Sequence, residues 1–410
     1  MTRSVLGTTV AALALLAACG GQAAPSSAPV SASAPASSAA AKPSAAPSSS
    51  AASASAKPAA SSAAASAKPA ASASASASAA PTATFAPAVE ADTTRAPLTR
   101  TTFPAIEGKG LTTDIMEVDQ QAHRLYVTDQ IVKGIDIWDV STAMPKYLKT
   151  VDTGSAPNGV TVAGNVKKVF TGLSDATIAI IDVDPASPKA DTVIAKINTN
   201  GKKRADETDY DPNTKKMFVA NSDDGIVTVI DGTTNQVVKQ FMDVGKSLEQ
   251  PRYNPVDKMM YLTAPDDNWI VQFDPTKDAL VKKWDVGDNC QPHGIAINPG
   301  TNQALLNCSV KSHLHVALWD FKAGKVVATE DRGGSGDADI YNAKADRYLS
   351  AANTAAGPSI GIYTGAGKFI TNVPTVSGAH QVAYDETNKI VYTSDRSPSG
   401  GLLSFALPNK

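Results

Sequence analysis

Tyr126-Val-Thr-Asp129 is a short motif that recurs through most of the chain. Its copies begin with an aromatic residue or leucine and continue with small or β-branched residues. They are Phe170-Thr-Gly-Leu173, Phe218-Val-Ala-Asn221, Tyr261-Leu-Thr-Ala264, Leu305-Leu-Asn-Cys308, Tyr348-Leu-Ser-Ala351 and Tyr392-Thr-Ser-Asp395. The spacing is about 44 residues, so each copy marks one structural repeat. Seven repeats of this length account for about 310 of the 410 residues.

Each repeat also contains strand signals in a constant order. An alternating segment such as Gly294-Ile-Ala-Ile-Asn298 precedes the aromatic motif. A third segment ends at aspartate, as in Val227-Thr-Val-Ile-Asp231, and a fourth follows a turn such as Asp231-Gly-Thr-Thr-Asn235. Four short antiparallel strands repeated seven times predict an all-β fold, a seven-bladed β-propeller with four-stranded antiparallel blades.

The two ends of the repeat region predict how the propeller closes. The last repeat ends near Leu407 after only three strands, whereas residues 98–106 alternate in polarity and precede the first complete repeat. We therefore expect this N-terminal segment to supply the fourth strand of the last blade. Closure of this kind removes exposed sheet edges.

The first 18 residues have the features of an export signal. Arg3 gives a positive start, residues 5–17 are apolar but too short to span a bilayer, and Leu16-Ala-Ala-Cys19 resembles a bacterial lipobox. The resemblance implies cleavage before Cys19, lipid on its sulfur, and an extracytoplasmic protein anchored to the membrane of the cell envelope. The alternative is an ordinary secretory signal with an incidental cysteine.

Low-complexity sequence separates this signal from the repeats. Residues 23–81 are Ala, Ser or Pro, except for Val30, Lys42, Lys57 and Lys68. Such a segment cannot bury enough apolar surface to offset its ordering entropy, so we expect a disordered tether. The predicted organisation is a signal peptide at 1–18, a lipidated cysteine and linker at 19–97, and the propeller at 98–410.

Charge and motifs exclude several classes of function. The chain has 37 basic and 39 acidic side chains, a net charge of −2, which disfavours electrostatic steering to nucleic acid. The sequence has no Gly-x-Ser-x-Gly elbow, phosphate-binding loop, dinucleotide fingerprint or Cys-x-x-Cys-His haem site.

The repeats resemble one known propeller family. The Tyr-Val-Thr-Asn-like motif, the Val-Thr-Val-Ile-Asp strand and the segment Pro292-His-Gly-Ile-Ala-Ile-Asn-Pro299 are similar to those of YVTN/YncE-like propellers, over residues 98–410. That group includes surface-layer proteins, binding modules and relatives of lactonases and of dehydrogenase subunits. Trp-Asp pairs suggest WD40 repeats as an alternative, but no Gly-His dipeptide opens the repeats.

Propeller geometry also predicts which residues face the central channel. The first strand of each blade begins at the channel, so the residue about twelve positions before each aromatic marker should line one mouth. These positions are all polar: Asp114, Asn158, Asp206, Glu249, His293, Asp337 and His380. Carboxylates and imidazoles suit divalent cations and acid–base chemistry. The alternative is a wet mouth whose polar groups only satisfy loop backbone.

Within this ring, His293, Asp337 and His380 come from three consecutive blades and are the predicted ligands of a divalent metal ion. His313-Leu-His315 is a second histidine pair at strand spacing, with an exposed loop pair as its alternative reading.

Cys290 and Cys308 flank one predicted hairpin and should meet at the same end of it. Export to an oxidising compartment would allow their oxidation to a disulfide, which we therefore predict.

Two functions remain open from the sequence. The first is a membrane-tethered module that binds or scaffolds a protein, a polysaccharide or a small molecule in the cell envelope. The second is a metal-dependent, lactonase-like hydrolase or lyase with its site at the channel mouth. It needs a metal ion and a base at the axis, which Glu249, Asp337, His293 and His380 would provide between them.

Overall fold

A computed structural model describes residues 98–101, 111–287, 289–310, 313–354, 357–376, 380–397 and 400–409. The predicted signal peptide, Cys19 and the linker up to residue 97 lie outside the described residues. The described chain forms seven antiparallel sheets of four strands each, which confirms the predicted seven-bladed propeller.

The strands follow one another around the propeller in chain order. The isolated N-terminal strand is β1 (Thr99–Thr101). Blades one to three contain β2 (Met116–Asp119), β3 (Arg124–Asp129), β4 (Gly134–Asp139), β5 (Lys146–Asp152), β6 (Pro157–Ala163), β7 (Lys168–Leu173), β8 (Thr177–Asp182), β9 (Thr192–Asn198), β10 (Thr208–Asp211), β11 (Lys216–Asn221), β12 (Ile226–Asp231) and β13 (Gln236–Phe241).

Blades four to six contain β14 (Glu249–Asn254), β15 (Met259–Ala264), β16 (Trp269–Asp274), β17 (Ala279–Asp285), β18 (Pro292–Asn298), β19 (Gln303–Cys308), β20 (His315–Asp320), β21 (Lys325–Glu330), β22 (Ser335–Asn342), β23 (Arg347–Thr354), β24 (Gly357–Thr364) and β25 (Phe369–Pro374). Blade seven contains β26 (Ala383–Asp385), β27 (Ile390–Asp395) and β28 (Gly401–Ala406).

Three connections between consecutive strands contain a short 3₁₀ helix: β6 to β7, β11 to β12 and β15 to β16. The helices span Gly164–Val166, Ser222–Asp224 and Pro265–Asp267. No helix within the described ranges is long and apolar enough to cross a lipid bilayer.

The last blade closes in the predicted way. Its sheet order is β1-β28-β27-β26, so the N-terminal strand lies at its outer edge, with Thr99 opposite Ser404 and Thr101 opposite Leu402. Arg100 pairs with the buried Asp395 of β27 and also donates a hydrogen bond to the carbonyl of Gly400.

The repeated aromatic motif forms the second strand of every blade and supplies the core between blades. Its marker side chains are at most 1% exposed: Tyr126, Phe170, Phe218, Tyr261, Leu305, Tyr348 and Tyr392. Phe218, for example, packs with Met260, Leu262 and Phe273 of the following blade. Burial of these side chains between neighbouring sheets fixes each blade against the next.

The first strands of adjacent blades lie next to one another around the axis. Strand β2 contacts both β6 and β26, and β18 contacts both β14 and β22. Glycine makes this close approach possible, because a Cβ on Gly294 would lie 2.3 Å from a carboxylate oxygen of Asp339 in the next blade.

A disulfide joins Cys290 to Cys308, with their Cα atoms 4.5 Å apart. It lies where the start of β18 pairs with the end of β19, since Pro292 is the partner of Cys308.

Candidate functional site at the channel mouth

The seven residues that the sequence assigns to the channel all lie at or just before the first strand of a blade. We call them the mouth ring: Asp114, Asn158, Asp206, Glu249, His293, Asp337 and His380. In three blades a threonine of the second strand fixes the backbone beside the ring residue. Thr128, Thr171 and Thr393 donate side-chain hydrogen bonds to the carbonyls of residues 115, 159 and 381. The threonine of the repeated motif therefore positions the ring residue in these three blades.

Imidazoles and carboxylates from blades one, five, six and seven form a continuous chain of contacts. Nε2 of His380 lies 3.1 Å from Oδ1 of Asp114, and Nδ1 of His380 lies 2.8 Å from Oδ2 of Asp337. The other carboxylate oxygen of Asp337 lies 3.2 Å from Nδ1 of His293. Asp337 thus holds two imidazoles at once.

His380 contacts a carboxylate oxygen with each of its two ring nitrogens. Burial raises the pKa of Asp114, one of these two carboxyl groups, above its ordinary value. The arrangement suits His380 for orienting Asp337.

Glu249 completes a cluster with metal-binding geometry. One donor atom each from Glu249, His293 and Asp337 lie within 4.8 Å of one another, and each side chain is partly exposed to the channel. The predicted ligand His380 instead contacts Asp337 from the side. The structure therefore groups Glu249 with His293 and Asp337 as three candidate ligands.

The carboxyl groups of the mouth ring differ in the direction in which their pKa values are shifted. Burial raises the pKa of Asp206 to about 8, and the charge of Asp114 adds to this effect. Burial and the charge of Asp337 also raise the pKa of Glu249 well above its ordinary value. Burial also acts on Asp337, but the hydrogen bond from His293 and the charge of His380 outweigh it and lower the pKa of Asp337. Asp337 is therefore the ionised centre of the ring.

Arg204 is a charged residue of the mouth that the sequence did not reveal. Its guanidinium lies 2.9 Å from a carboxylate oxygen of Asp206 and 3.9 Å from one of Asp223. It also acts on Glu249 and Asp114, since these carboxylates contribute to its raised pKa. Arg204 lies two residues before a ring position, in a loop where strand periodicity gives no information.

Asn158 lies at the predicted position, but its side chain is buried and hydrogen-bonded within the protein. It is 2% exposed, its amide donates to the carbonyl of Ala205, and its oxygen accepts a hydrogen bond from Gln130. The side chain links two blades and has little contact with solvent.

A second tier of polar side chains lies deeper in the channel, three residues after four of the ring positions. It consists of Glu117, Thr161, Asp209 and Arg252, all of which line one cavity. The sequence contains a signal for this tier, because three of the four residues are charged, whereas Ala296, Ile340 and Ala383 occupy the same position in blades five, six and seven.

The second histidine pair, His313 and His315, is not part of the cluster formed by Glu249, His293 and Asp337. The rings of His313 and His315 stack with centroids 4.5 Å apart, and Nε2 of His313 lies 3.0 Å from Asp331. His315 is 2% exposed and contacts the carbonyl of His313 through Nδ1.

No known protein-family model matches the chain, and no curated protein matches its sequence. Function is therefore inferred from the geometry of the mouth.

Proposed function

We propose that the chain is a membrane-tethered, extracytoplasmic propeller of the YVTN/YncE-like type that binds its ligand at the mouth ring through a divalent metal ion. The lipobox-like Leu16-Ala-Ala-Cys19 and the low-complexity residues 23–81 support the tether. The seven-bladed fold and the repeated second-strand motif support the family resemblance.

The observation that carries the metal proposal is the convergence of Glu249, His293 and Asp337 from three consecutive blades. One imidazole nitrogen and two carboxylate oxygens suit a first-row divalent ion such as Zn²⁺ or Mn²⁺. With three protein ligands, the metal ion would keep a coordination position free for an oxygen donor of the bound molecule.

Calorimetric titration of the purified, chelator-treated chain with Zn²⁺ and with Mn²⁺ tests this proposal. We expect one ion per chain for the preferred metal, and loss of binding in His293→Ala. The matched control is His123→Asn, which changes a histidine in the β2–β3 turn and suits its positive φ of 52°. Unchanged metal binding in His293→Ala would refute the proposal.

A metal-dependent hydrolase is the second candidate, and Asp206 favours it. A carboxyl group with a pKa of about 8 can exchange a proton at neutral pH, and this one lies beside the cation of Arg204. The metal ion would polarise the carbonyl of an ester or lactone. We expect Asp206→Asn to keep the metal and lose turnover, and Glu249→Gln to lose both. Absence of turnover by the metal-loaded chain on a lactone panel would leave the binding function alone.

A further inference from the structure

Beneath the mouth ring, the first strands enclose a cavity of about 240 Å³, which we call the inner cavity. Six blades contribute to its wall through their first strands or the residue just before them, so it belongs to the channel and not to one blade. Its wall consists of residues 115–117, 159–161, 207–209, 252–253, 296–297 and 339–341.

The wall of the inner cavity is strongly acidic. Glu117, Glu207, Asp209 and Asp339 face one cation, Arg252, among the residues that line it. If all of these groups were ionised, the wall would carry a net charge of −3. Burial raises the pKa of each of the four carboxyl groups, so their ionised forms gain most from a ligand that brings positive charge into the cavity.

Two of these carboxylates have structural partners. An oxygen of Glu117 accepts the backbone N–H of Val162 at 3.0 Å, and an oxygen of Asp209 accepts the backbone N–H of Tyr253 at 2.6 Å. Each bond joins neighbouring blades, which explains part of the acidity of the wall.

Asp339 and Glu207 differ because each has a buried oxygen without a hydrogen-bond donor among the described residues. Asp339 is fully buried, and only its Oδ1 has a donor, Asn307. Glu207 is 5% exposed, and the guanidinium of Arg252 lies 3.8 Å from its Oε2, which is too far for a hydrogen bond. A buried carboxylate oxygen without a donor is costly, so both atoms favour a ligand that donates hydrogen bonds into the cavity.

The arrangement does not suit a metal ion. In the described part of the chain, the only three-donor cluster of acidic, histidine or cysteine side chains is the one at Glu249, His293 and Asp337. The inner carboxylates are instead spread along the channel. Their ligand must bring several donors that are separated in space.

The spacing along the channel indicates what that ligand is. Glu207 and Asp209 are two residues apart at the start of one inner strand, which separates them by about 7 Å. A second cavity continues toward the opposite face of the propeller and shares Glu117, Asp209 and Tyr253 with the inner cavity. Carboxylates therefore occur at successive depths, and Tyr253 adds an aromatic ring that can contact an ammonium group.

We propose that the inner cavity binds a linear aliphatic diamine, with one ammonium group at Asp339 and Glu207 and the other toward Asp209 and Glu117. An extended four-carbon diamine separates its nitrogens by about 6 Å, close to the spacing of the carboxylates. Each ammonium group donates three hydrogen bonds, which satisfies the oxygens that lack donors.

Calorimetric titration of the chelator-treated full chain with 1,4-diaminobutane tests the proposal. We expect one molecule of the diamine to bind per chain. The affinity for 1-aminobutane, which lacks the second charge, should be at least about tenfold lower. Asp339→Asn and Glu207→Gln should each weaken diamine binding about tenfold. The matched control, Asp243→Asn, changes an exposed carboxylate outside the channel and should bind as the wild type does. Thermal melts identify any variant that is not folded.

Absence of diamine binding would overturn the proposal, as would equal affinity for the diamine in the wild type and in folded Asp339→Asn and Glu207→Gln. Binding of Ca²⁺ that depends on Asp339, without diamine binding, would also overturn it in favour of a metal site. The outcome is independent of the mouth metal, because His293→Ala should lose the metal ion and keep the diamine.

Discussion

Asp337 is the residue that organises the mouth, because its two carboxylate oxygens hold His293 and His380 from the blades on either side. Its lowered pKa keeps it ionised next to carboxyl groups whose pKa values burial raises. A single ionised carboxylate between two imidazoles defines where a cation is best stabilised.

His380 and His293 are expected to differ in their effect on the metal. His380 contacts Asp337 and Asp114 with its two nitrogens and lies outside the three-donor cluster. Loss of a partner that only orients a ligand typically costs 10–100-fold in metal affinity. We therefore expect His380→Ala to weaken Zn²⁺ binding about tenfold in calorimetry, whereas His293→Ala abolishes it. Equal losses in the two variants would make His380 a ligand.

Glu117 is expected to make stability depend on pH. Burial raises its pKa from 4.5 to about 8 in the folded chain. The stability that comes from its neutral form is complete below pH 4.5 and is lost as the pH rises through 8. Glu117→Gln removes this titration and keeps an oxygen for the N–H of Val162.

Urea unfolding in chelator at pH 5 and pH 9 measures the effect. We expect the free energy of unfolding of Glu117→Gln, relative to the wild type, to be higher at pH 9 than at pH 5 by on the order of 2 kcal/mol. A constant difference between the two proteins would contradict the assignment.

At the level of the strands, the repeat period was sufficient to predict the blades, their closure and the register of the mouth ring. The aromatic markers are fully buried at the interfaces between blades, so their spacing is fixed by packing and is visible in the sequence. Arg204 was not predictable, because it enters the mouth from an irregular loop. The role of Asn158 was also hidden, since its partners Gln130 and Ala205 come from two other blades.

Strand β1 is expected to be essential for the last blade although it has only three residues. It covers the edge of β28 and brings Arg100 to the buried Asp395. Loss of one partner of a buried ion pair costs about 3 kcal/mol or more. We expect deletion of residues 98–106 to lower the melting temperature by about 5 °C or more, and deletion of residues 23–81 to leave it unchanged. Equal melting temperatures for the two deletions would contradict closure by β1.

For the whole molecule, attachment is expected to depend on Cys19. The residues before it form the predicted lipobox, and the proposed role of the low-complexity residues after it is to tether the propeller to the membrane. Cys19→Ala should move the protein from the membrane fraction to the soluble extracytoplasmic fraction, or leave an unprocessed precursor, as fractionation and mass spectrometry will show. Unchanged fractionation and mass would contradict lipidation.

The central claim is that the channel mouth holds a metal ion between blades four, five and six. Anomalous diffraction at the zinc edge, from crystals of the propeller grown with one equivalent of Zn²⁺, tests it directly. The predicted result is one anomalous peak within bonding distance of Glu249, His293 and Asp337, absent in His293→Ala crystals. A peak at His313 and His315 instead, or no ordered metal ion in crystals grown with Zn²⁺ or with Mn²⁺, would contradict the claim.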